Sequence, residues 1–167
     1  KKALRSEEYL HRVPTIAGSN KDEIKLWLGF SRYFIETKQS FLSKGIGIPI
    51  VEIKDEEKYQ FYNEIRSKGW QLRGVQEPLE NMFIAGNEDL YAYRYDWDNL
   101  RDFFVGDFSK IIGSAHALEI PMISGDFSLA EEFAWIIYPR SPSRRFVSKN
   151  MMNFWTEFAK NCLLYTS

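Results

Sequence analysis

Apolar residues near the start of the chain follow two different periods, which predict a strand leading into a helix. Residues 13–18 (VPTIAG) form a short apolar run with β-branched members, bounded by Ser19 and Asn20, as is typical of a buried strand. Over residues 22–43 the apolar positions recur at helical spacing, with a break expected near Gly29. The residues that join these elements therefore follow the carboxyl end of the strand, where ligands and catalytic groups gather in α/β folds.

The middle of the chain contains turn-rich segments around a second predicted helix. Residues 45–49 (GIGIP) are rich in helix breakers and predict a connection. Asp55 is a suitable N-cap for a helix over residues 56–68, and Gly69 is placed to end it. Residues 70–89 show no clear period, so the pattern assigns them no element.

A second strand and a final helix complete the predicted order. Residues 90–96 are aromatic-rich and predict a strand, and a polar connection is expected over residues 98–110. Ser141 and Pro142 are a cap and first-turn proline for a last helix. Its apolar face consists of Val147, Met151, Phe154, Trp155 and Phe158. Strands that alternate with helices indicate the α/β class.

Composition excludes several classes of function. The 167 residues are 44% hydrophobic and 27% charged, which predicts one globular domain. Since 22 basic residues face 23 acidic ones, a nucleic-acid or anionic-membrane surface is not expected. No apolar run approaches the roughly 20 residues of a membrane span. A single cysteine, Cys162, and two distant histidines argue against an internal disulfide or a Cys/His zinc site.

Two residues carry the candidate chemistry, Glu23 after the first strand and His116 in a run of small residues. Their chain order, acid before histidine, is the second half of the Ser–acid–His order of the α/β-hydrolase fold. A serine hydroxyl needs an imidazole to remove its proton, and the imidazole needs a carboxylate on its other nitrogen. The pair is therefore a candidate proton-transfer unit, provided that the fold brings the two residues together.

Four segments in order resemble the type B carboxylesterases, the family that includes the cholinesterases. VPTIAGSNKDE (residues 13–23) is similar to the segment whose N-[KR]-D-E run ends on the triad acid, and YAYRYD (residues 91–96) to an aromatic strand before the histidine. GSAHALEIPMISG (residues 113–125) resembles the histidine segment, commonly G-A-x-H-G-x-E-L-P, and MMNFWTEFAK (residues 151–160) a helix with W-x-x-F-A. The resemblance spans residues 10–160 or so, and four ordered motifs are more specific than any one.

This resemblance implies a carboxylic ester hydrolase acting on a small-molecule ester, with Glu23 and His116 as triad acid and base and no metal or organic cofactor. Residues 1–160 would be the carboxy-terminal portion of one α/β-hydrolase domain. The sequence opens without a Met and contains no G-x-S-x-G and no glycine-rich oxyanion segment. We therefore expect a fragment whose nucleophile lies upstream of Lys1, which by itself is inactive and folds poorly.

The chain also departs from the family pattern. Ala117 stands where many members have glycine, and Ser124 where phenylalanine is usual. Residues 161–167 (NCLLYTS) do not match the turn that the family has there, so they are expected to be a tail foreign to the family, with no role for Cys162. The alternative function is an inactive cholinesterase-like binding or adhesion homologue that keeps the fold.

Each candidate residue also has a structural interpretation. Asn20 and Glu23 fit a capping box, which the motif alone favours over a triad role. A lone histidine is more often structural, Glu119 is assigned a structural role, and His11 is expected to be solvated. Alternatives to Glu23 as the acid are Asp96 and Asp98.

Two further groups of side chains have an undecided role or no expected functional role. The aromatic residues between positions 27 and 41 fit either an acyl pocket or a helix packed on a sheet. Arg140, Arg144 and Arg145 are expected to form a solvated face at the start of the last helix, because three arginines do not make a nucleic-acid site.

Overall fold

A computed structural model describes residues 13–162 of the chain. His11 and residues 163–167 of the predicted tail lie outside the described residues. Within the described part, helices and strands are mixed, in agreement with the predicted α/β class, and the strands form three two-stranded sheets. Only one of these three pairs is parallel. No helix between residues 13 and 162 is long and apolar enough to cross a bilayer.

The parallel pair joins the two strands that the sequence predicts. β1 (Thr15–Asn20) lies beside β4 (Leu90–Tyr95), with Gly18 opposite Tyr93. A Cβ at Gly18 would lie 2.2 Å from the Tyr93 ring, so the glycine allows this ring to cover the strand. Both strands end at the same edge, and Lys21 N–H extends the pairing by donating to Tyr95 O at 2.9 Å.

The predicted helix over residues 22–43 is wrong for most of its length. α1 (Lys25–Leu28) is a single turn that ends at Gly29, and β2 (Ile35–Lys38) then pairs antiparallel with β3 (Ile50–Ile53). β-Branched residues oppose one another in this pair, which favours a strand over a helix. Between the strands lies α2 (Phe41–Ile46), which Ser40 caps and Gly47 ends.

The second predicted helix begins as expected but continues through Gly69. Asp55 caps α3 (Glu56–Gln71) by accepting from Lys58 N–H at 3.0 Å, as predicted. A π-helical turn (Leu72–Gln76) then leads without a break into α4 (Glu77–Ile84). Glycine in a helix costs about 1 kcal/mol relative to alanine. Tertiary contacts of α3 with the segment after β1 offset that cost, so Gly69 does not end the helix.

The segment predicted as a polar connection over residues 98–110 is partly ordered into elements. A short hairpin of β5 (Asp102–Phe103) and β6 (Gly106–Asp107) surrounds the fully buried Val105. α5 (Phe108–Ile111) follows directly, with Asp107 as its N-cap.

Short helices lead from the histidine segment to the last helix. α6 (Ile120–Ser124) ends at Gly125, and a 3-10 helix (Phe127–Phe133) runs into α7 (Ala134–Ile137). The last helix, α8 (Pro142–Asn161), begins at the predicted cap, where Ser141 accepts from Arg144 N–H at 3.1 Å.

The apolar face of α8 packs largely as predicted. Val147 and Met151 pack on a core cluster that contains Tyr95, Trp97, Leu100, Met122 and Tyr138. The Trp155 ring lies edge-on to Tyr93 at 4.8 Å between centroids. Phe154, which the pattern placed on the same face, is instead exposed at the side of the helix. A separate cluster of Leu28, Phe34, Ile35, Tyr59 and Ile111 packs beneath α3.

The predicted solvated arginine face is correct for two of its three members. Arg140 and Arg145 are exposed. Arg144 is half-buried instead, because its Nη1 donates to Tyr138 O at 2.7 Å and its guanidinium lies 4.3 Å from the centroid of the Phe127 ring. Burial and the neighbouring guanidinium groups of Arg140 and Arg145 lower the pKa of Arg144.

Candidate functional site

Glu23 follows the carboxyl end of β1 and is held there by its own turn. Asn20 N–H donates to Glu23 Oε1 at 2.7 Å, which forms the reach-back half of the expected capping box. The other half is absent from this turn, because the Asn20 side chain points to the histidine segment and α1 starts later, at Lys25. The Glu23 side chain is only 4% exposed, so its direction is fixed.

The second carboxylate oxygen of Glu23 faces the imidazole of His116. Oε2 lies 2.8 Å from Nδ1, and His116 N–H also donates to the backbone oxygen of Glu23 at 3.3 Å. An ionised carboxylate only accepts hydrogen bonds, so Nδ1 carries the proton of this contact. The capping and pairing interpretations are therefore compatible: one oxygen holds the turn and the other holds the histidine.

The remaining edge of the imidazole is accessible. The His116 side chain is 40% exposed, whereas its acidic partner is buried. Within residues 13–162, Nε2 has no hydrogen-bond partner. The pair thus presents a nitrogen that can accept a proton from a reacting group.

Asp22, next to the acid, ties the histidine segment to the segment after β1. Its Oδ2 accepts from the backbone N–H and the hydroxyl of Ser114, both at 3.3 Å, and Asp22 N–H donates to Ser114 O at 3.2 Å. Gly113 permits this approach: its φ is +54°, and a Cβ there would lie 2.4 Å from Asp22 Oδ2. Two backbone segments that are distant in sequence are therefore aligned just before His116.

The Asp22 carboxylate is itself buried and compensated. Its Oδ1 accepts from Asn63 Nδ2 at 2.7 Å and lies 3.3 Å from Lys25 Nζ, and both charged side chains are almost fully buried. Ser67 donates to Asn63 Oδ1 at 3.0 Å and accepts from Ile24 N–H at 3.3 Å. Asn63 and Ser67 are one turn apart on α3, so this helix supports the acid segment from below.

A second connection comes from the Asn20 amide. Its Nδ2 donates to Ala115 O at 2.7 Å and to Glu119 Oε2 at 2.5 Å. Glu119 therefore contacts the segment that carries Glu23 and not the imidazole, as its predicted structural role requires. Burial, together with the charges of Glu119 and Glu23, raises the pKa of the neighbouring Tyr93 to about 12.

Two indole rings flank the imidazole. The ring centroid of His116 lies 5.3 Å from that of Trp27 and 5.1 Å from that of Trp70, and the two indoles are 6.0 Å apart. Trp27 follows the acid segment and Trp70 projects from α3, where the sequence pattern assigned no element. These contacts restrict the ring of His116 to the plane in which it meets Glu23.

The alternative acids do not reach the histidine. Asp96 forms an ion pair with Arg94, and Asp98 with Lys21, whose Nζ lies 3.0 Å from Asp98 Oδ2. Both pairs are exposed. Of the three carboxylates weighed from the sequence, Glu23 alone contacts His116.

Several residues of this site were not predicted from the sequence. Trp70 and Ser114 gave no signal, because their contacts arise only from the packing of distant segments. Asn63 and Ser67 could have been noticed as polar residues four apart on a helix, although the pattern does not show that they are buried. Asp22 lies inside the motif that suggested Glu23.

A cleft that polar residues line lies beside the pair. It has a volume of about 700 Å³ and is lined by Ser19, Asn20, Asp22, Asn63 and Ser67 together with charged residues of both signs. Asp22, Asn63 and Ser67 bond to one another, and Asn20 bonds to Ala115 and Glu119, so the wall of this cleft is the network that supports the pair. No group of three or more His, Cys, Asp or Glu side chains among the described residues could hold a metal ion.

The chain matches no protein-family model, and no curated protein matches it. The functional conclusion therefore depends on the geometry of Glu23 and His116 and on the resemblance of the four sequence segments.

Proposed function

We propose that this chain supplies the acid and the histidine of a serine carboxylic ester hydrolase of the type B carboxylesterase kind. The observation that carries the proposal is the arrangement of one buried carboxylate and one half-exposed imidazole. Glu23 Oε2 lies 2.8 Å from His116 Nδ1, the His116 side chain is 40% exposed, and Nε2 has no partner in the described part of the chain. A purely structural pair has no need to leave this second nitrogen accessible.

The proposed finer fold is the carboxy-terminal part of an α/β-hydrolase domain over residues 1–160. Its support is the parallel pairing of β1 with β4 and the position of Glu23 directly after the carboxyl end of β1. Large apolar side chains are exposed, among them Phe30 at 84% and Phe41 at 91%. Such surfaces are the kind that a further part of the same fold covers.

The reaction follows from the two nitrogen atoms of His116. Nε2 accepts the proton of a serine hydroxyl as its oxygen attacks the ester carbonyl, and Glu23 stabilises the imidazolium that forms. The same nitrogen then returns the proton to the departing alcohol oxygen, leaving an acyl-enzyme. A water molecule then attacks the acyl carbon as Nε2 takes its proton, and Nε2 gives that proton to the serine oxygen as the bond to the acyl group breaks, which releases the carboxylic acid. By resemblance, the serine and the oxyanion donors lie upstream of Lys1.

The test uses the protein encoded by the complete reading frame and a small chromogenic acetate ester. His116→Ala is expected to lower kcat by a factor on the order of 10⁴ or more, because the general base is lost. Glu23→Gln is expected to lower kcat by about 10⁴-fold while the fold is kept. The matched control is His11→Ala, which removes the other histidine and should leave turnover unchanged.

Two outcomes would reject the proposal. Near-normal turnover by His116→Ala would show that this histidine is not the general base. A complete wild-type protein that folds but hydrolyses no ester would favour the alternative, a cholinesterase-like binding or adhesion homologue.

A further inference from the structure

The two indoles beside His116 form part of a cleft with two arginines that form no ion pair within residues 13–162. A cleft of about 370 Å³ is lined by Ile24, Trp27, Arg66 and Trp70. It shares three of these residues with an adjoining groove of about 620 Å³ that Arg73 also lines. The two spaces therefore form one surface that extends along α3 away from the imidazole.

The apolar part of this surface is exposed and rigidly supported. Trp27 is 49% and Trp70 41% exposed, although both rings contact the imidazole. The floor of the cleft is fixed because Ile24 N–H donates to Ser67 Oγ at 3.3 Å, which ties the acid segment to α3. A flat apolar group can therefore stack on a preformed indole surface, where aromatic contacts gain energy beyond simple burial.

The polar part of the surface is positively charged. Within residues 13–162, neither Arg66 nor Arg73 forms an ion pair or a side-chain hydrogen bond, and no acidic side chain lines either space. Guanidinium groups bind carboxylates through two parallel hydrogen bonds. The complementary ligand thus carries an anionic group as well as an apolar ring.

We propose that this cleft binds an anionic aromatic ligand, with its ring on Trp27 and Trp70 and its carboxylate on Arg66 and Arg73. The assignment of this ligand as substrate rests on the proposed esterase function, and it specifies the substrate class as aromatic esters that bear a free carboxylate. The combined spaces are in the range of about 300–1,000 Å³ that holds small organic ligands.

Binding is measured separately from turnover, on the protein encoded by the complete reading frame. The probes are 2-naphthoate and its neutral analogue 2-naphthylmethanol, and the readouts are tryptophan fluorescence and the imidazole proton resonances of His116. Naphthoate is expected to quench the fluorescence and to shift the His116 resonances, since its ring lies beside the indoles that contact the imidazole. The neutral analogue is expected to bind at least about tenfold more weakly, because it forms no charged hydrogen bond.

The variant Arg66→Gln,Arg73→Gln should weaken naphthoate binding by about tenfold or more and leave the affinity for naphthylmethanol unchanged. Arg145→Gln, an exposed arginine on α8, is the matched control and should change neither affinity. Equal binding of the two probes, an unchanged affinity in the double variant, or a His116 resonance that does not move would each overturn the proposal.

A second arm separates this proposal from the proposed function. In the complete protein, kcat/KM for an aryl hemisuccinate should exceed that for the matching aryl acetate, and the double arginine variant should abolish the difference. If the chain binds naphthoate but the complete protein hydrolyses no ester, the esterase proposal and the substrate assignment fail and the binding cleft stands. If esters are hydrolysed with no preference for the anionic one, the substrate assignment is overturned and the esterase proposal stands.

Discussion

Asp22 Oδ2 accepts hydrogen bonds from both the backbone N–H and the hydroxyl of Ser114, 92 positions away in the chain. This contact sets the histidine segment against the acid segment two residues before His116. The only charge beside the Asp22 carboxylate in the described contacts is Lys25, which is buried with it. The position of the imidazole therefore depends on an acid that takes no part in the proposed proton transfer.

Replacement of Asp22 by Asn should destabilise the protein. The substitution leaves the ammonium group of Lys25 buried without a counter-charge, and breaking a buried pair in this way costs about 3–5 kcal/mol. The free energy of unfolding is measured by urea titration. Asp98→Asn is the matched control, because its ion pair with Lys21 is exposed and worth less than about 1 kcal/mol. Equal losses in the two variants would contradict the role of the buried network.

Ala117, directly after His116, has a φ of +68° in the left-handed region. An alanine there costs roughly 1–2 kcal/mol that glycine does not. Ala117→Gly should therefore raise the free energy of unfolding, by about 0.5–1 kcal/mol after the greater entropy of the unfolded glycine chain is subtracted. Ala159→Gly, the same change inside α8, should lower it by about 1 kcal/mol. Destabilisation by Ala117→Gly would show that the residue does not adopt this conformation.

Gly69 and Gly47 provide a matched test of the course of the helices. Gly69 lies inside α3, and an added Cβ would meet no atom within 4 Å, so Gly69→Ala should stabilise the protein by about 1 kcal/mol. Gly47 ends α2 with a φ of +72°, also in open space, so Gly47→Ala should destabilise it by about 1–2 kcal/mol. Thermal unfolding measures both. Loss of stability in Gly69→Ala would instead indicate that Gly69 ends the helix, as the sequence predicted.

Alkaline pH should weaken the fold through Tyr93. Its pKa is raised to about 12 in the folded state, from about 10 in an unfolded chain. Above pH 10 the Tyr93 hydroxyl ionises first in the unfolded chain. The free energy of unfolding therefore falls progressively as the pH rises to 12. The free energy of unfolding of wild type and Tyr93→Phe is compared at pH 8, 10 and 11. The variant should lose less stability over this range, and identical losses would contradict the assignment.

The sequence predicted the elements whose signals are local. Both strands of the parallel pair and the two capped helices, α3 and α8, follow from β-branched or aromatic runs and from Asp55 and Ser141 as caps. The helix predicted over residues 22–43 was wrong at β2 (Ile35–Lys38), because the apolar spacing there fits a helix, whereas pairing with β3 (Ile50–Ile53), which was not predicted, decides the structure. Such pairing is a tertiary effect that spacing does not reveal.

The candidate site shows the same division. Glu23 and His116 could be named because their motifs are contiguous in sequence. The roles of Asp22, Ser114 and Trp70 could not, since each depends on a contact between segments more than forty positions apart. The sequence also could not show that Glu23 caps the turn and pairs with His116 at once. Its Oε1 accepts from Asn20 N–H, and its Oε2 contacts the imidazole.

The most direct test of the Glu23–His116 pair is the tautomer of His116, measured from its imidazole nitrogen-15 resonances in a chain carrying His11→Gln. Neutral His116 should bear its proton on Nδ1, because the Glu23 carboxylate can only accept it, and Glu23→Ala should abolish this preference. A wild-type histidine whose proton resides on Nε2, or one that Glu23→Ala leaves unchanged, would contradict the account.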